Sequence, residues 1–186
     1  MSRPRILINV FHPDLERSRG HRALMAAVAS LDDATVRDLY AEYPDFGIDV
    51  AREQDLLRGH DVVVMQHPLY WYSAPALLKE WEDRVLEHGF AYPPGVGDAL
   101  KGKSWLTVTT TGGAAEAYRS GGANNWTMSE LLRPFQQTAY LCGMTWLPPF
   151  VVHGVLPARR GGGKLDDAQL AARGTELRDL LASLTA

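Results

Sequence analysis

The sequence predicts an α/β domain built on an open, doubly wound parallel sheet of five strands in the order 2-1-3-4-5, with helices on both faces. Three observations carry that expectation. Short apolar runs of strand length alternate along the chain with longer runs of helical periodicity. The run Asp61-Val62-Val63-Val64-Met65 is the clearest strand, bounded on both sides by helical patterns. A length of 186 residues, with 46% hydrophobic and 22% charged side chains, suits one domain over residues 1–186 and excludes a disordered chain or a fibre.

Arg5 to Val10 reads as the first strand. Ser18 opens a helix with Leu24, Ala27, Val28 and Leu31 on one face, and Ala34 to Leu39 follows as the second strand. A loop at Tyr43-Pro44-Asp45-Phe46-Gly47-Ile48-Asp49 precedes a helix from Val50 to Arg58, then the third strand. Pro75 opens a helix whose inner face is Leu77, Leu78, Trp81, Val85 and Leu86. Ser104 to Thr109 is the fourth strand. Met128, Leu131, Leu132, Phe135, Ala139 and Cys142 mark a further helix, which Pro134 must kink or start. Thr145 to Val152 gives a fifth strand interrupted by Pro148-Pro149, as suits an edge or a bulge, and Asp166 to Leu184 is the closing helix.

A net charge of −3 with scattered Lys and Arg offers no field for nucleic acid. The lone Cys142 excludes an internal disulfide and reads as a buried structural thiol. Ile6-Leu7-Ile8-Asn9-Val10 is too short for a signal peptide or a membrane span, so the protein is expected to be soluble and cytoplasmic. Arg159-Arg160-Gly161-Gly162-Gly163-Lys164 is expected to be a mobile surface loop. It is not a phosphate-binding P-loop, because Ala158 and Leu165 stand where Gly and Ser or Thr are required. A phospho-accepting receiver of the same topology is excluded by Asn9 and Gln66, which occupy the positions its acids need.

In this strand order a ligand binds outside the carboxyl ends of the first and third strands, with the fourth-strand loop beside it. Three segments should therefore form one surface. The first runs from Phe11 to His21: Ser18 can cap a helix whose opening amides, at Arg19, Gly20 and His21, make an anion site, with His12 and Arg19 able to add charge or hydrogen bonds. The second is His67-Pro68-Leu69-Tyr70-Trp71-Tyr72-Ser73-Ala74-Pro75, three adjacent aromatic rings held between prolines. The third is Thr109-Thr110-Thr111-Gly112-Gly113, whose glycines let backbone approach a planar ligand. Each has a plainer reading alone: a simple cap with a loop histidine, a piece of core, a turn. Their convergence on one end of one sheet joins them.

Taken together these motifs resemble the flavodoxin-like NAD(P)H:quinone oxidoreductases, and within them the bacterial ancillary flavoproteins of glutathione-gated potassium efflux systems. Tyr40-Ala41-Glu42-Tyr43-Pro44-Asp45-Phe46, the helix from Lys79 to Val85, Gly89-Phe90-Ala91-Tyr92 and Cys142-Gly143-Met144-Thr145-Trp146-Leu147-Pro148-Pro149-Phe150 extend the likeness, which covers about residues 5 to 153. The resemblance implies a flavin, FMN rather than the alternative FAD, with NADPH or NADH as co-substrate, a quinone-type acceptor, ping-pong turnover and a homodimer. It implies that His12, Ser18, Arg19, Gly20 and His21 hold the phosphate and ribityl end. Leu69, Tyr70, Trp71 and Tyr72 would then flank the ring, with Thr110, Thr111, Gly112 and Gly113 approaching its pyrimidine side. Tyr118 matches a tyrosine that donates a hydrogen bond during hydride transfer, or else is a tyrosine of the rim. The histidine that accompanies it in the family is replaced by Asn124. The alternative role implied is a regulatory subunit, peripheral at the membrane on a potassium efflux transporter.

Overall fold

The computed structural model describes residues 4–156 and 165–184, so the loop expected at Arg159 to Lys164 lies outside the described residues. Strands β1 (Ile6–Val10), β2 (Ala34–Asp38), β3 (Val62–Pro68), β4 (Ser104–Thr110), β5 (Thr145–Trp146) and β6 (Phe150–Val152) form one sheet. All its pairings are parallel, in the order β2-β1-β3-β4-β5, with β6 also on β4. The expected order is the observed one.

The fifth strand is where expectation and structure part. Thr145 and Trp146 align with Ser104 and Trp105, whereas Phe150 to Val152 align with Val108 to Thr110. Leu147 still donates its N–H to the Trp105 carbonyl at 2.9 Å, but Pro148 and Pro149 have no N–H to give, and the ladder breaks into two short strands.

Helices α1 (Arg19–Val28), α2 (Leu39–Glu42), α3 (Val50–Arg58), α4 (Ala76–Val85), α5 (Met128–Leu131), α6 (Arg133–Leu141) and α7 (Asp167–Leu184) fill the connections. The helix expected from Met128 to Cys142 is two. Thr127 and Glu130 form a reciprocal capping box on α5, and Pro134 lies in the first turn of α6, where a missing N–H costs nothing. Helix α2 was not expected. Its start is fixed by the Asp38 carboxylate, which accepts from the amides of Tyr40 and Ala41 and ends β2 one residue early.

Alternation along the strands sends side chains into two cores. Ile6, Ile8, Val64 and Val108 pack under α1 and α7 against Leu24, Val28, Leu177 and Leu181. Leu7, Val63, Met65 and Trp105 pack under α3, α4 and α6 against Leu57, Leu78, Trp81 and Phe135. Cys142 is a buried free thiol, pushed up to about 11 by burial and by Glu82.

One polar knot ties the second core together. Arg37, on β2, bonds both oxygens of Glu53 at 2.9 and 2.6 Å and both of Glu42 at 3.1 and 2.6 Å. Glu53 also accepts from Tyr43 at 2.7 Å and from the Trp81 indole at 2.8 Å, and is fully buried. Burial pushes its carboxyl up, but the bonds from Arg37, Tyr43 and Trp81 win, holding it below the ordinary 4.5.

Candidate functional site

The hydrogen-bond ladder runs one residue beyond the strand ends. Phe11 N–H donates to Gln66 O at 2.8 Å, Leu69 N–H to Thr110 O at 2.8 Å, and Thr111 N–H to Val152 O at 2.9 Å. The loops after β1, β3, β4 and β6 therefore leave from one level, at the carboxyl edge of the sheet.

Between them lie two hollows. One, of about 630 Å³, is bordered by His12, Arg17, Ser18, Arg19 and Gly20 on one side and by Leu69, Tyr70, Thr110, Gly112 and Leu156 on the other. The second, of about 330 Å³, is bordered by Leu69, Trp71, Tyr72, Gly112, Gly113, Tyr118 and Asn124. Leu69, Gly112 and Leu156 belong to both, which makes one elongated cleft of a size that takes a small organic cofactor.

At one end the cleft meets the N-terminus of α1. The Ser18 hydroxyl accepts the His21 amide at 3.3 Å, while the amides of Arg19 and Gly20 stand in the first turn, where a helix offers no acceptor. A Cβ on Gly20 would lie 3.3 Å from Val155 Cγ1, so the backbone there is pressed against the loop after β6. Arg19 borders the cleft, and its guanidinium pairs with Asp167 at 2.6 Å and with the Leu165 carbonyl. His12 is largely buried, and its Nδ1 accepts the Asp14 amide at 3.1 Å, so the neutral ring carries its proton on Nε2. Burial lowers its pKa against the pull of Asp14 and Asp38.

His21 is not on the cleft border. Its ring lies beneath it: Gln66 Nε2 donates to Nδ1 at 3.2 Å, and Nε2 bonds the Thr110 hydroxyl at 3.0 Å. Burial, with His12 and His67 nearby, holds it well below 6.5. Thr111 is likewise turned inward, bonded to Gly113 O and His153. Thr110 supports His21 and borders the larger hollow, and Gly112 reaches both hollows.

The far end is flat and aromatic. Trp71 and Tyr72 sit at the tip of a tight turn closed by mutual bonds between Tyr70 and Ser73 at 3.1 and 3.0 Å. The Tyr72 hydroxyl crosses the cleft to Asn124 Oδ1 at 3.2 Å. Tyr118 stands over Gly113, where an added Cβ would meet Tyr118 Cε2 at 3.4 Å.

Asp14, Arg17, Val155 and Leu156 also border the cleft and were not singled out by the sequence. The readable signal for the last two was their place after the fifth strand, whose loop leaves the same end of the sheet. Among the described residues no group of His, Cys, Asp and Glu is arranged to hold a metal ion. What the cleft does fit is an anion at the α1 end joined to a flat ring over Gly112-Gly113, the shape and charge of a flavin nucleotide.

The sequence matches the family described as "Flavodoxin-like fold" over residues 4–175. It is 48% identical over 178 residues to the glutathione-regulated potassium-efflux system ancillary protein KefG of Serratia proteamaculans, covering 96% of this chain and 95% of that relative. General stress protein 14 of Treponema denticola, solved in complex with FMN, is 38% identical with a TM-score of 0.87, covering 97% of this chain and 99% of its own. An NADPH-quinone reductase from P. pentosaceus is 34% identical with a TM-score of 0.76, covering 93% and 97%.

Proposed function

The chain belongs to the flavodoxin-like fold family, and from that premise we propose that it is a flavin-dependent NAD(P)H oxidoreductase passing two electrons to a quinone-type acceptor. The observation that carries this reading is the single cleft running from the N-terminus of α1 to the Gly112-Gly113 turn. FMN, when bound, supplies the hydride chemistry, accepting from NADPH or NADH and giving to the quinone.

The chain's own part is to bind, orient and polarise. The Ser18 hydroxyl and the amides of Arg19 and Gly20 hold the phosphate, and His12 covers it. Leu69, Tyr70, Trp71 and Tyr72 wall the ring. Thr110 and Thr111 set the height of Gly112 and Gly113, whose amides would stabilise the negative charge that gathers on the ring on reduction. Tyr118 offers a hydroxyl at the mouth. One mouth for both substrates makes turnover ping-pong, and the protein works as one domain, in the cytoplasm, as a homodimer.

A second reading is favoured by the likeness to the potassium-efflux ancillary protein. Here the flavoprotein is a regulatory subunit docked on a membrane transporter. No helix of the described residues is long and apolar enough to cross a membrane.

An absorbance spectrum of the purified protein tests the shared premise. A flavin band that bleaches anaerobically with NADPH or NADH, and returns with benzoquinone, is the expected result; no flavin after reconstitution overturns both readings. The mass of the released cofactor separates FMN from FAD. Parallel double-reciprocal plots support ping-pong turnover, and intersecting lines refute it. Co-purification with the transporter, alongside negligible quinone turnover in its absence, would favour the regulatory role.

A further inference from the structure

We propose that His153 is a positioning residue of this site: it holds Thr111, and through Thr111 the Gly112-Gly113 turn, at the height where Tyr118 closes over it. The inference rests on the reductase reading for its effect on turnover, but its geometry is independent of any bound flavin.

His153 follows β6 as Thr111 follows β4, and the two loops are cross-bonded. Val155 N–H donates to Thr111 O at 3.0 Å, and Gly154 N–H to Gly113 O at 2.9 Å. The Thr111 hydroxyl has one proton. Gly113 O, 2.8 Å away, can only accept, so the proton goes there. The same oxygen lies 2.9 Å from His153 Nδ1, and that second bond must then be donated by Nδ1–H. The tautomer is fixed: the neutral ring carries its lone pair on Nε2.

The ring also touches Tyr118, with centroids 5.4 Å apart and planes at 39°. Tyr118 in turn lies against Gly113, where an added Cβ would be 3.6 Å from its hydroxyl. His153, Thr111, Gly113 and Tyr118 thus close a ring of contacts under the smaller hollow. Asn124, which stands where the resemblance places a histidine, is already engaged with Tyr72 on the opposite wall. His153 is the imidazole that the fold brings to Tyr118 instead.

The groups facing His153 are Tyr118, Arg173 from α7 and Glu116 from the loop after β4. Burial and Arg173 lower its pKa, and Glu116 opposes them. Protonation in acid adds a charge at Nε2 and leaves the Nδ1–H bond to Thr111 intact. Positioning and charge can therefore be separated by substitution. His153→Asn keeps an N–H donor in place of Nδ1 and cannot titrate; His153→Phe keeps a ring and loses the donor.

In flavin-free protein, hydrogen exchange of the Gly154 amide, which bonds Gly113 O, should quicken about ten-fold in His153→Phe and stay within about two-fold in His153→Asn, as loss of one buried hydrogen bond implies. With FMN loaded, His153→Phe should weaken FMN binding about ten-fold and lower kcat more than KM for benzoquinone. Unchanged Gly154 exchange in His153→Phe overturns the inference, as does a His153→Phe protein whose FMN affinity and kcat match those of wild type. Wild-type protein that takes up no FMN instead overturns the reductase reading, and the exchange experiment still decides the role of His153.

Discussion

Trp71 and Tyr72 take left-handed backbone, at φ 48° and 64°, a conformation that costs an L-residue about 1–2 kcal/mol. Trp71 is 93% exposed, so burial returns little of that cost. The turn is kept by the paired bonds between Tyr70 and Ser73, and it fixes the direction of the aromatic wall before any ligand arrives. Opposite it, a Cβ on Gly113 would already be in van der Waals contact with Tyr118, 3.4 Å from Cε2. Gly113→Val would push branched methyls into Tyr118 and the hollow, an overpacking of about 1–3 kcal/mol. FMN affinity should fall roughly ten- to hundred-fold, with the far-ultraviolet circular dichroism unchanged; full flavin occupancy at stoichiometric FMN would show that the turn does not meet the ring. The triplet Thr109-Thr110-Thr111 shows what a string of letters conceals at this scale. The resemblance implies both Thr110 and Thr111 at the ring, yet of the three threonines Thr110 alone borders the cleft, because successive side chains leave a strand on opposite faces and the ladder continues through Thr111. The His21 ring turns inward for a related reason: one helical position past Gly20 rotates the side chain beneath the cleft.

At the level of elements, apolar period and capping residues located most of the pieces, since those signals are local. Val50 to Arg58 and Pro75 as the residue before α4 were readable from spacing alone. The Arg37 knot was not. Its members Glu42 and Tyr43, Glu53, and Trp81 come from three separate segments, and each looks like an ordinary surface or core residue until the fold unites them. Removing one partner from such a buried set strands the others: Glu53→Ala leaves Arg37, Tyr43 and Trp81 each short of an acceptor. It should cost about 3–5 kcal/mol of stability in urea unfolding. A loss under about 1 kcal/mol would show that water replaces the carboxylate freely.

Across the whole molecule, two buried groups set opposing responses to pH. Burial pushes His67 down to about 4, against the bond to the Pro68 carbonyl. The unfolded chain, titrating near 6.5, takes the proton first as pH falls, so this contribution is complete above 6.5 and is lost on the way down to 4. Burial pushes Glu82 up to about 7. The unfolded chain ionises first, near 4.5, so this contribution is complete below 4.5 and is lost as pH rises to 7. Each amounts to about 3 kcal/mol. Glu82→Gln removes the second alone, and its stability relative to wild type should rise by about 3 kcal/mol between pH 4.5 and 7.5; a difference independent of pH would mean that Glu82 is ionised in the native state. The strand order was legible from alternation because it is a global regularity, whereas the break between β5 and β6 depended on how two prolines meet one neighbour. β5 and β6 form the outer border of the sheet, and Pro148 and Pro149 leave a stretch with no N–H to offer a passing strand. Strands from another molecule therefore find no continuous template along that edge.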